Sequence, residues 1–158
     1  MIVRQMRPEE LDITANLFKY YAAEAAEAEP RFGEEFDIDS TVASIRSRTI
    51  YPQQTWLNLY DGTRPVGFIT GSVSSAPWNN RITFAHIEMF YIMQSHRNID
   101  SFRQLIAAFE QWSNTFEPQH ISVSDAGVDP ERTKKLFEHI GFKPQTFLTK
   151  AVQDGVHI

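Results

Sequence analysis

A chain of 158 residues with 42% hydrophobic and 13% aromatic side chains has the size and apolar content of one folded domain, which excludes a disordered segment. Fifteen Lys+Arg against twenty Asp+Glu leave a formal net charge of -5 with no Lys/Arg-rich run, so no broad nucleic-acid or anionic-membrane surface is expected. The absence of cysteine removes thiol nucleophiles, disulfides and cysteine-ligated zinc, and no apolar run approaches the ~18 residues of a membrane helix; a cytoplasmic protein is the expectation.

Ile2 to Met6 reads as a short strand cut off by Arg7-Pro8. Pro8, Glu9, Glu10 and Asp12 mark a helix start, since proline suits the first position and acids suit the positive end of the helix dipole. Leu11, Ala15, Phe18 and Ala22 recur at helical spacing and carry this helix to about Ala26. Glu29 to Gly33 breaks it. Asp39 is placed to cap a second helix with Val42 and Ile45 inward, ended by Tyr51-Pro52; Arg46 and Arg48 read as its solvated charges.

The period then changes to two. Trp56, Asn58 and Tyr60 alternate with Leu57 and Leu59, Asp61-Gly62 turns the chain, and Pro65 to Ser74 returns, with Gly67 and Gly71 as points of close backbone approach. Ile82 to Met93 is a long, nearly continuous apolar strand and so an inner one. Phe102, Leu105, Phe109 and Trp112 form one face of a helix expected from about Ser101. His120 to Asp125 is a strand, Asp129-Pro130 starts a helix with Leu136, Phe137 and Ile140 inward and Gly141 at its end, and Gln145 to Val152 is a last strand. The expected fold is α/β, a single domain over residues 1–152 with a mixed central sheet flanked by helices (βααβββαβαβ), followed by a short tail, 153–158.

Two segments resemble the GNAT family, the acyl-CoA-dependent N-acetyltransferases. Leu136-Phe137-Glu138-His139-Ile140-Gly141-Phe142 is similar to the family's closing helix, which typically ends Tyr-Glu-Lys-Leu-Gly-Phe, and Ile92 to Arg97 falls where members have Val-x-Pro-x-x-Arg or Val-x-Pro-x-x-Gln. The resemblance implies acetyl-CoA as acyl donor. Its pyrophosphate would lie on the backbone N–H groups of Arg97, Asn98, Ile99, Asp100, Ser101 and Phe102, at the start of a helix, and its pantetheine arm on the backbone of Phe90 and Ile92. The family's turn reads Arg/Gln-x-x-Gly-x-Gly/Ala, and Asp100 and Phe102 stand at its two glycine positions. Asp100 also reads as a helix cap whose carboxylate takes those N–H groups and repels a phosphate, and Phe102 brings bulk.

Acyl transfer to an amine needs a group to accept the amine's proton. By resemblance, Glu88 and His86 are the candidate bases, and alternation puts residues 86, 88 and 90 on one face with Tyr91 on the other. Glu88 as the partner of an arginine, and His86 as a hydrogen-bonded core histidine, are the structural alternatives. The family's proton-donating tyrosine corresponds to Phe137, which has no proton to give. Trp78, Phe32 and Phe36, in expected loops, read as acceptor-pocket lining or local packing. The five histidines show no ligand spacing, so no metal is expected.

The reading is an acetyl-CoA-dependent N-acetyltransferase acting on a primary amine of a small molecule or protein, with a homodimer expected by resemblance. Two rivals stay open: a GNAT-fold protein that has lost acetyl-CoA binding and contacts a protein partner, and a module that binds CoA without chemistry.

Overall fold

The computed structural model describes residues 1–124, 127–145, 148 and 150. Among them are the strands β1 (Ile2–Gln5), β2 (Gln54–Asp61), β3 (Arg64–Ala76), β4 (Asn79–Ile92) and β5 (His120–Val123). They pair in chain order as one mixed sheet, antiparallel from β1 to β4 and parallel between β4 and β5. Gly62, at φ 63°, makes the tight turn between β2 and β3, a conformation in which a side chain would be strained. β4 is an inner strand, as its continuous apolar run requires. Most of the expected last strand, and the tail 153–158, lie outside the described residues.

The helices are α1 (Leu11–Ala28), α2 (Pro30–Glu35), α3 (Ile38–Ile50), α4 (Ile99–Asn114) and α5 (Pro130–His139). α4 lays Phe102, Leu105, Ile106 and Phe109 on one sheet face, against Ile69, Val73, Ala85 and Ile87. Phe137 of α5 joins that core. On the other face, Leu17, Phe18 and Tyr21 of α1 and Ile45 of α3 pack on Trp56, Phe68 and Tyr91. The architecture is the expected mixed sheet between helices, with no described helix long and apolar enough to cross a membrane.

Several local expectations are corrected. Pro8–Glu10 is a separate 3-10 turn, and α2 fills what reads as a break between two helices. Asp37, not Asp39, caps α3, its Oδ2 accepting from Ser40 N at 2.8 Å. α4 begins two residues earlier than its apolar face suggests. Its cap is Asn98, whose Oδ1 accepts from Ser101 N at 2.9 Å, so Asp100 stands exposed in the first turn. Phe102 adds no bulk to the turn: only 2% exposed, its ring lies in the core between those of Phe90 and Phe137.

Candidate functional site

One extra residue in β4 organises the site. Met89 pairs with Thr70 and Ile87 with Gly71, so Glu88 bulges out of the ladder. Side chains before and after the bulge therefore follow opposite parity. Ala85, Ile87, Phe90 and Ile92 all face α4, while Met89 and Tyr91 face α1. The expectation that residues 86, 88 and 90 share a face is corrected, because Phe90 lies on the opposite face from His86. Tyr91, expected opposite Glu88, is on its side of the sheet.

His86 and Glu88 do share the face covered by α1 and α3. His86 stands in a cross-strand row with Gln54, Ser72 and Ser122. Its Nδ1 is 2.8 Å from Ser122 Oγ and its Nε2 is 3.5 Å from Ser124 Oγ. Glu88 Oε2 is ion-paired with Nη2 of Arg48 on α3. Arg48 is thus no solvated charge, since its side chain is only 13% exposed. The sequence signal for it was its place three residues after Ile45, on the inner side of α3.

The bulge also marks where β4 and β5 part. Their pairing ends at Ile87 and Val123, and β4 runs on to Ile92 paired with β3 only. Met93 N donates to Val66 O, so by alternation the backbone groups of Ile92 and Phe90 point away from β3 into the gap. A cavity of about 260 Å³ opens there, walled by Phe90 to Ile92, the start of α4 and the segment from Gly127 into α5. Asp129 Oδ1 caps α5 by accepting from Arg132 N at 3.2 Å. Phe137, behind this wall, is 3% exposed, packed against the rings of Phe90, Phe102 and Phe142.

At the mouth of the cavity, Arg97 turns inward. Its Nε and Nη2 donate to Ile92 O at 3.0 and 2.7 Å, and Nη2 reaches Glu24 Oε2 at 2.9 Å. Tyr91 Oη donates to the other oxygen of Glu24 at 2.9 Å. Burial, and then that carboxylate, push the Tyr91 phenol above its ordinary value, so it keeps its proton. Glu24 was not singled out from the sequence; its position one turn beyond Tyr21 on α1 was the available sign. In the first turn of α4, Ser101 N is taken by the cap and Phe102 N by Asn98 O, which leaves the N–H groups of Ile99 and Asp100 to a ligand or water. Trp78 is 73% exposed at the β3–β4 turn, whereas Phe32 and Phe36 pack on Tyr21 and Phe18.

No protein-family model and no curated protein sequence matches the chain. Solved structures do. A probable acetyltransferase superposes with a TM-score of 0.75 at 20% identity, covering 99% of this chain and 100% of its own. The ribosomal-protein-alanine N-acetyltransferase of Brucella melitensis biovar Abortus 2308 gives 0.70 at 14%, covering 97% and 99%. The fold is the GNAT fold. An aminoglycoside N-acetyltransferase in complex with CoA shares it too, with a TM-score of 0.73 at 17% identity over 96% of this chain and 93% of its own. The opening between β4 and β5 is lined by Phe90 and Ile92, two of the residues named from the sequence.

Proposed function

We propose that this protein is an acetyl-CoA-dependent N-acetyltransferase acting on a primary amine. The observation that carries the reading is the gap between β4 and β5: a cavity walled by two helix starts, with the backbone of Phe90 and Ile92 turned into it. An extended amide-bearing chain suits such a strand edge, and the Ile99 and Asp100 N–H groups suit an anion beside it. Acetyl-CoA would supply the activated acyl group, its C–S bond breaking as the C–N bond to the amine forms and the sulfur leaving as thiolate.

The chain's own residues do the rest. His86 is the stronger candidate base, because Glu88 is held by Arg48. With Nδ1–H donated to Ser122, His86 Nε2 carries the lone pair that accepts the amine's proton. Glu88 lies two residues along the same face and orients the amine. Phe137 gives no proton to the thiolate, which draws it from solvent.

A second reading, a GNAT-fold protein-contact module without cofactor, is favoured by one observation. Arg97 spends its guanidinium on Glu24 and on the Ile92 carbonyl, a group a pantetheine amide would otherwise use. Thiol release from acetyl-CoA across a panel of primary amines decides between the two. The enzyme reading expects amine-dependent release that His86→Gln lowers by roughly 10²–10⁴-fold; no release with any amine counts for the contact module.

A further inference from the structure

Arg97 lines the cavity between β4 and β5 together with Phe90, Ile92 and the first residues of α4. A guanidinium chelates a phosphate through a parallel pair of N–H groups. In Arg97 such a pair, on Nε and Nη2, is spent on one oxygen: both donate to Ile92 O, at 3.0 and 2.7 Å. A carbonyl oxygen has two lone pairs, so this one has none left for an incoming amide N–H. The two bonds are charge-assisted, and a neutral amide does not displace them on equal terms.

The arrangement is also able to let go. Nη2 is shared with Glu24 Oε2 at 2.9 Å, and both side chains keep water, at 23% and 21% exposed. Tyr91 Oη donates to the other oxygen of Glu24 at 2.9 Å, so the carboxylate stays hydrogen-bonded if the guanidinium leaves. What draws a guanidinium off a carbonyl is an anion that matches its fork, and phosphate does. We infer that Arg97 is a latch that selects the acyl donor: it closes the Ile92 carbonyl to a pantetheine arm until a phosphate of the same donor takes its Nε–Nη2 edge. This rests on the acyl-transfer reading above and names the donors admitted, thioesters that carry phosphate, over those that offer the pantetheine arm alone. The inward turn of Arg97 is then the resting state of the site.

The test is calorimetric titration of the full chain with CoA and with two parts of it, pantetheine and ADP. It is run on the wild type, Arg97→Ala and Arg97→Lys, each checked for folding by circular dichroism. Arg97→Ala is expected to move the two parts in opposite directions. Pantetheine binds about 5-fold or more tighter, because the carbonyl is free, and ADP binds roughly 10-fold more weakly, because its phosphates lose the guanidinium. Arg97→Lys keeps the charge on a point donor, so pantetheine gains less and ADP loses less. If Arg97→Ala does not fold, Arg97→Lys decides by the same pair of signs. A residue that only braced the strand would weaken both parts when removed, and one that only gripped phosphate would leave pantetheine unchanged. Either result, with CoA still bound by the wild type, overturns the latch and leaves the transferase standing. No binding of CoA by the wild type or either variant removes the acyl-transfer reading, and the latch with it.

Discussion

Arg48 of α3 and Glu88 at the bulge of β4 form an ion pair across the face of the sheet where His86 also lies. The pair ties a helix to the point at which the ladder is broken, and it decides which of two candidate bases is free. Removing one partner leaves a largely buried charge alone. Arg48→Ala is expected to cost about 1–3 kcal/mol of stability, less than for a fully buried pair because Glu88 keeps some water. Urea unfolding measures it, and a double-mutant cycle with Glu88→Gln should show the two changes to be non-additive.

Gly71 lies where β3 passes beneath α4. A Cβ at this position would run into the His86 carbonyl and the Phe109 ring. Backbone on one side and a fully buried ring on the other leave nothing free to yield. Gly71→Ala should therefore cost about 3 kcal/mol or more and lower Tm by several degrees. An unchanged melting curve would mean that β4 is not held at this separation.

Acid should loosen the start of the chain. The Arg4 side chain binds both oxygens of Glu10, at 2.8 and 2.9 Å, and holds its carboxyl down at about 2 against an ordinary 4.5. A depressed carboxyl stabilises the fold above its unfolded value and loses that stability as pH falls toward the folded one. The contribution, roughly 1–3 kcal/mol, should be complete at pH 6 and fade from about pH 4.5 down to about 2. Glu10→Gln should remove this part of the pH dependence of unfolding.

Arg97 and Asp100 separate stability from ligand affinity. Its hydrogen bonds run to Glu24 and to Ile92 O, so Arg97→Ala should cost about 2 kcal/mol in unfolding. Asp100 is exposed in the first turn of α4 and holds no cap bond. Asp100→Asn should leave stability within about 1 kcal/mol and, on the proposed function, raise CoA affinity several-fold by removing a charge from the helix start proposed to hold the phosphates. Titrations of both variants at two salt concentrations check this.

The frame was legible because burial writes a period into the chain. The α4 face recurs at helical spacing, and Trp56, Asn58 and Tyr60 alternate as a strand must. The bulge was not legible, because nearly every position from Ile87 to Ile92 is apolar and a change of parity leaves no trace in such a run. For the cap of α4, Asn98 and Asp100 are equally suitable residue types; the choice depends on where the chain leaves the 3-10 turn at Gln94–His96. His86 and Glu88 were found by resemblance and do share a face. What holds each of them, Ser122 for one and Arg48 for the other, comes from distant segments that only folding brings together.

Calorimetric titration of the protein with acetyl-CoA tests the central claim most directly, that the gap between β4 and β5 is a cofactor site. The account predicts saturable binding of one acetyl-CoA per chain, strengthened by Asp100→Asn. No binding by the wild type, with none gained in Asp100→Asn, would contradict it and leave the GNAT fold here as a surface for contacting another protein.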